Sequence, residues 1–311
     1  LNTRGFKSLA AFDDLLSRVL SLRDHSTPVY ALKLSYRHFI HPDIVKTMIE
    51  YAVSHHVQRL KTSIICDIQR FLPCLLSSQT LTSLNLNVHD TIRNSRMVFP
   101  NSLNLPALTT LTLKQFYFLS DHNGCAEPFS AFNNLKTLIL VSCNVLDKDD
   151  VLQQQQQEVL CISSATLVNL TILACNHIRK LKLSAPSLSG FYNETEDSAF
   201  LLSWLVELAN IKSLKVSSNT LQVLSFLPDL FKLKFTSLCN LESLQVQMVP
   251  LPLALYDALK AKYLEEKGVE FYLYQNTFIP DGVVDFLIQN SPSAKVNIIP
   301  FKVICAFNFF Q

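Results

Sequence analysis

Glycine is nearly absent from this chain: five residues in 311, at positions 5, 124, 190, 268 and 282, each isolated from the others. Loops that cradle phosphate need glycine for close backbone approach, so neither a P-loop nor a dinucleotide fingerprint can be assembled. Charge is also sparse. Only 17% of residues are charged and the net charge is +2, which provides no electrostatic basis for a nucleic-acid or anionic-membrane partner. No apolar run approaches the roughly 20 residues that span a bilayer, and no signal peptide is recognisable. The apolar stretch Ile298 to Phe310 is broken by Pro300, Lys302 and Asn308. The eight cysteines form no CxxC pair, and a disulfide framework belongs to small secreted domains. The expectation is a chain of free, buried thiols in a reducing compartment, cytoplasmic or nuclear.

Leucine is abundant and regularly spaced. Leu81-Thr-Ser-Leu84-Asn-Leu86 recurs as Leu108-Thr-Thr-Leu111-Thr-Leu113 and Leu135-Lys-Thr-Leu138-Ile-Leu140. It returns altered at Leu167-Val-Asn-Leu170-Thr-Ile172, Ile178-Arg-Lys-Leu181-Lys-Leu183, Ile211-Lys-Ser-Leu214-Lys-Val216 and Leu241-Glu-Ser-Leu244-Gln-Val246. An earlier copy starts at Val29, with Leu32 and Leu34, and a weaker one at Val57, with Leu60. This is the spelling of a leucine-rich repeat, whose LxL part is a short strand with its leucines pointing inward. Cys143 and Cys175 each follow the LxL by three residues, where such repeats place Asn or Cys as the chain turns off the strand. The fold class expected is α/β, a leucine-rich-repeat solenoid with a curved parallel sheet on its concave face and helices and irregular segments on its convex face.

Along the chain, Leu9–Leu22 has a helical period and ends in a loop before Val29. A helix begins at Pro42, and Ile44, Val45, Met48, Ile49, Ala52 and Val53 give it one apolar face. The 44-residue step from 167 to 211 is too long for one repeat and predicts a further strand at Ser187–Asn193. The copy at Ile178 lies only 11 residues after Leu167, so a convex-side strand is an alternative there. Asp147–Glu158, with the run Gln153–Gln157, reads as a solvated insertion. Pro252–Lys267 reads as a helix stopped by Gly268, followed by a strand at Val269–Tyr274, a helix at Pro280–Asn290 and a last strand at Lys295–Ile299. The organisation expected is an N-terminal segment over 1–28, a repeat array over 29–250, and a capping repeat with tail over 251–311 that closes the array's open end.

Side chains alternate along a strand. The residues expected on the binding face are therefore Lys33, Asn85, Asn87, Thr112, Lys114, Ile139, Thr171, Lys180, Lys182, Lys215, Gln245 and Gln247. Their lysines suggest an acidic or phosphorylated ligand. His38, His41, His55 and His56 lack the four-ligand spacing of a zinc site. His41 is placed to cap the helix that follows, and His55 and His56 to end it. No nucleophile elbow or carboxylate cluster is present, so neither catalysis nor a cofactor is expected. Trp204, in an apolar run, is expected in the core, and the triplet Asn169-Leu-Thr171 lies on a strand.

Four stretches make the chain similar to plant F-box/leucine-rich-repeat proteins downstream of the F-box. They are Leu16-Ser-Arg-Val-Leu-Ser-Leu-Arg-Asp24, Leu181-Lys-Leu-Ser-Ala-Pro-Ser-Leu188, Leu208-Ala-Asn-Ile-Lys-Ser-Leu-Lys-Val216 and Val284-Asp-Phe-Leu-Ile-Gln-Asn-Ser-Pro292. They are spread from residue 16 to residue 292, so the resemblance extends over nearly the whole chain. The resemblance implies a substrate receptor of a cullin-RING ubiquitin ligase, in which the repeats hold a protein target and the F-box docks on the Skp adaptor. Leu1-Asn-Thr-Arg4-Gly-Phe-Lys-Ser-Leu9 looks like the last turn of an F-box, which usually reads LSxRW. Here Gly5-Phe6 stands where the Trp is expected, so the adaptor is implied only if a complete F-box lies upstream. The alternatives are a ubiquitin-independent interaction scaffold and a remnant of a decayed F-box gene.

Overall fold

The computed structural model describes residues 18, 22, 29–66, 71–75, 78–88, 97–100, 103, 105–121, 123–146, 159–175, 178–194, 198–208, 210–227, 230–232, 237–253, 255–257, 259–261 and 278–301. It shows an α/β protein with a long all-parallel sheet of ten sequential strands. The chain divides into two compact units, 1–188 and 189–311, a division that falls inside the 29–250 array read from the sequence.

In the first unit, strands β1 (Ala31–Phe39), β2 (Arg59–Ile65), β3 (Ser83–Val88), β4 (Thr110–Lys114), β7 (Thr137–Val141) and β10 (Asn169–Leu173) lie side by side in that order. Two smaller sheets accompany them. β5 (Tyr117–Leu119) pairs with β8 (Asn144–Leu146), while β11 (Lys180–Ser184), β9 (Val159–Ser163) and β6 (Cys125–Ala126) form the other. Helix α1 (Pro42–Ser54) connects β1 to β2, and the single turn α2 (Leu72–Leu75) follows β2.

Register explains the core. Leu60, Leu84, Leu111, Leu138 and Leu170 occupy matched positions on neighbouring strands, and each is at most 2% exposed. A second row runs Leu34, Thr62, Leu86, Leu113, Leu140 and Ile172, also buried. Burying each leucine contributes roughly 1.5–3 kcal/mol. Because the side-chain period is two, a one-residue slip in any strand would expose its pair of leucines, which pins the register. Thr62 interrupts the second row, and its buried hydroxyl has no hydrogen-bond partner among the described residues. Behind the sheet Phe99, Phe116, Phe118 and Phe129 pack partly edge to face, with Phe99 and Phe116 centroids 5.8 Å apart.

The strand exits repeat as well. Gln115, Ser142 and Ala174, each one residue beyond β4, β7 and β10, have φ of 62°, 52° and 52°. This left-handed residue turns the chain so that Phe116, Cys143 and Cys175 plunge inward. The turns also bond to one another: Gln115 N–H donates to the Val141 carbonyl and Ser142 N–H to that of Leu173. Helix α1 starts as expected. The His41 imidazole accepts from Asp43 N–H at 3.4 Å, Pro42 opens the first turn, and Val45, Met48, Ile49 and Ala52 are buried. His55 caps its other end, stacked on Tyr51 at 3.9 Å.

The second unit contains β12 (Gly190–Glu194), α3 (Ser198–Val206), β13 (Ser213–Ser217), α4 (Ser218–Leu224), β14 (Ser243–Gln247), α5 (Val283–Ile288) and β15 (Lys295–Ile299). Its core is less uniformly apolar. Asn193 holds the ladder position matched to Val216 and is fully buried. Ser217, Ser218, Asn219, Thr220 and Gln222 are buried too. They act as ties: the Ser217 hydroxyl caps α4 by accepting from Thr220 N–H at 3.1 Å, and Asn219 Nδ2 donates to the Pro250 carbonyl at 3.1 Å. Gln222 Nε2 reaches the Phe278 carbonyl at 2.9 Å. Trp204 is core, 1% exposed.

One open placement is decided and one expectation is corrected. Of the two placements open for the Ile178 copy, the one outside the long sheet holds, because eleven residues are too few to complete a circuit back to it; β11 pairs with β9. Cys125 and Cys161 are not free thiols. They form a disulfide across β6 and β9, with Cα atoms 6.3 Å apart. On β15, Val296 and Ile298, matched to Leu244 and Val246, are 41% and 53% exposed. The segment 1–28 apart from Arg18 and Leu22, the insertion at 147–158, the Gly268 stop with the strand after it, and the tail from 302 lie outside the described residues.

Candidate interaction face

With both leucine rows turned inward, each strand of the long sheet presents the alternate positions on its open face. In the first unit these form three rows across β1, β2, β3, β4, β7 and β10. One runs Ala31, Arg59, Ser83, Thr110, Thr137, Asn169. The next runs Lys33, Lys61, Asn85, Thr112, Ile139, Thr171, and the last Ser35, Ser63, Asn87, Lys114, Val141, Leu173. Asn85, Asn87, Thr112, Lys114, Ile139, Thr171 and Lys33 therefore stand together, as the alternation predicts. Thr112 differs in degree: it is only 7% exposed, screened by its neighbours.

In the second unit Lys215, Gln245 and Gln247 occupy the same face of β13 and β14. Tyr192 of β12 is matched to Lys215, whose ammonium sits 4.7 Å above its ring. Such a cation–π pair is worth roughly 0.5–1 kcal/mol at an exposed site. It orients the lysine along the sheet.

Lys180 and Lys182 do not belong to this face. They are exposed on β11 in the three-stranded sheet. Any strand with one buried side shows the same alternation, so the Ile178 copy imitated a repeat. Arg59 and Lys61 were missed for the converse reason. Their strand reads Leu60-Lys-Thr62, with threonine where the second leucine belongs, and the copy at Val57 looked weak. The alternation around Leu60 was the available signal. Arg59 lies over the Tyr30 ring at 5.0 Å, and both cations are exposed.

Hydrogen bonding across the face is local. Asn87 Nδ2 donates to the Ser63 hydroxyl at 3.1 Å. The Asn85 carbonyl oxygen is buried without a partner among the described residues. The exposed pair Lys212–Glu242, 3.0 Å apart, lies in the turns before β13 and β14 and contributes at most about 1 kcal/mol.

Elsewhere in the first unit a cleft of about 350 Å³ is lined by Ser130, Phe132, Asn133, Ser163, Ser164, Ala165, Ser184 and Pro186. None of these titrates near neutrality, so the cleft carries no acid–base pair. Cys143 and Cys175 lie in contact, with Cys143 N–H donating to the Cys175 sulfur at 3.3 Å. The thiol–thiol hydrogen bond and burial hold the Cys175 thiol well above its ordinary value, which keeps it protonated and packing as a small apolar group. Among the described residues no cluster of three or more His, Cys, Asp or Glu could hold a metal ion. No helix among them is long and apolar enough to cross a membrane. Comparison with protein families, with curated proteins and with solved structures finds no match for this chain.

Proposed function

We propose that the chain is a leucine-rich-repeat solenoid serving as the non-catalytic, substrate-recognition part of an F-box subunit of a cullin-RING ubiquitin ligase. The observation that carries this reading is the open face itself. Strand after strand repeats in register, with leucine turned mostly to the core and the outward positions mostly polar or cationic, Ile139, Val141 and Leu173 excepted. Repetition of this kind builds an extended surface suited to a macromolecular partner. The partner proposed is a protein, held without a cofactor. Nucleic acid and membrane are not proposed as partners.

A second reading, a ubiquitin-independent scaffold or a remnant of a decayed F-box gene, is favoured by one feature. Gly5-Phe6 stands where an F-box places its tryptophan. Expression of the chain together with whatever precedes Leu1 in its own reading frame, followed by affinity purification, separates the two. Recovery of a Skp-type adaptor and a cullin supports the ligase reading. Recovery of a stable partner without them overturns it in favour of the scaffold.

A further inference from the structure

The open face of the first unit is chemically lopsided. At one end Lys33 and Lys61 are matched across β1 and β2, with Arg59 two residues before Lys61 on the same side. All three are exposed. Neighbouring strands lie about 4.8 Å apart, and like charges placed directly opposite one another disfavour the sheet. At the other end Ile139, Val141 and Leu173, on β7 and β10, leave aliphatic surface partly exposed, bordered by Lys114 at the β4 position matched to Val141. None of the three open-face positions on these six strands carries a carboxylate. The exposed cations of the β1–β2 end suit anionic groups brought by a partner.

We infer that this face takes an acidic, extended peptide segment of a protein partner, laid across the strands with its carboxylates on Lys33, Arg59 and Lys61 and an aliphatic side chain on Ile139, Val141 and Leu173. This rests on the open face being the recognition surface. Arg59 and Lys61 stand roughly 6.7 Å apart along β2, a spread that suits two separate carboxylates better than one compact group. From β2 to β7 the sheet order is β2, β3, β4, β7. Three strand spacings make about 14 Å, which an extended chain covers in about four residues. The segment thus carries two adjacent Glu or Asp residues and, about four residues away, a Leu, Ile or Phe. Cationic grooves that read acidic motifs through paired charges are an established mode of peptide recognition.

The test is a random dodecapeptide library displayed on phage and panned against the full chain, with selected peptides resynthesised for fluorescence anisotropy. Three variants accompany it, each checked for an unchanged circular dichroism spectrum and melting temperature: Lys33→Glu/Lys61→Glu, Ile139→Ser and, off the face, Lys182→Glu. The expected result is enrichment of the acidic–spacer–apolar pattern. Its binding should fall at least tenfold in Lys33→Glu/Lys61→Glu, severalfold in Ile139→Ser, and not at all in Lys182→Glu. A peptide with its acids replaced by lysine should regain affinity for the charge-reversed variant. If the double substitution fails to fold, Lys33→Gln/Lys61→Gln takes its place with the same expected loss. Enriched peptides of other composition that still respond to Ile139→Ser overturn the acidic segment but keep the open face as the recognition surface. Enriched peptides indifferent to every open-face variant overturn both. No enrichment overturns the short linear segment and leaves the protein-recognition reading to its own purification test.

Discussion

The two units carry the same kind of rung by different means. On β3, β4, β7 and β10 the inward positions are leucine or isoleucine, and β4, β7 and β10 each end in the same left-handed turn, at Gln115, Ser142 and Ala174. In the second unit β13 runs directly into α4, with Ser217 as its cap and Asn219 and Gln222 tied to backbone carbonyls far along the chain. Apolar periodicity with a repeated turn suffices in the first case. In the second, individual polar side chains take the place of the turn, and each must find its own partner because an unpaired buried polar group costs roughly 1–3 kcal/mol. Repetition is tolerant of composition; bespoke ties are tolerant of irregular spacing.

This contrast can be broken experimentally. Leu138→Asp places an unpaired charge in the most regular part of the ladder and should remove about 4–5 kcal/mol or more. Urea unfolding should show loss of the cooperative transition of the first unit, and an unchanged midpoint would contradict the inward placement of Leu138. Ser217→Ala should cost about 1–2 kcal/mol, the usual penalty for a lost helix cap. A cost of only a few tenths would mean that the polar ties of the second unit are dispensable.

Two further substitutions should make the first unit more regular, and hence more stable. Thr62→Val replaces the one hydroxyl in the leucine row with an isosteric apolar group, and should raise stability by about 1 kcal/mol; a loss in the same unfolding experiment would indicate a partner for that hydroxyl. Ala174→Gly removes a Cβ from a left-handed residue, so a gain of roughly 0.5 kcal/mol is expected after the larger entropy of the unfolded glycine chain is subtracted. A destabilisation there would mean that the turn depends on the alanine methyl group.

Much of this was legible in the spelling. The strands around Leu84, Leu111, Leu138, Leu170, Leu214 and Leu244 fall where the LxL spacing put them, the strand around Phe191 falls in the over-long step between 167 and 211, and the last strand has the expected bounds Lys295–Ile299. The helix opened by His41 and Pro42 also starts where expected. The candidate face was legible less completely. Lys33, Asn85, Asn87, Lys114, Ile139, Thr171, Lys215, Gln245 and Gln247 follow from alternation alone. Alternation also includes Lys180 and Lys182, which lie in another sheet, and the weak copy at Val57 hides Arg59 and Lys61, since one-dimensional alternation records that a strand has a buried side but not which sheet it joins.

What the amino-acid order determined by itself is therefore the period. Leucines two residues apart must share a face, and their recurrence forces neighbouring strands into one register. Only the tertiary structure decided which copies lie side by side. It brought Lys61 opposite Lys33, took Lys180 and Lys182 to another sheet, and joined Cys125 to Cys161 across 36 residues of chain. The physical reason is range. Side-chain alternation is a property of adjacent residues, whereas strand neighbours are chosen by the length and packing of the segments between them.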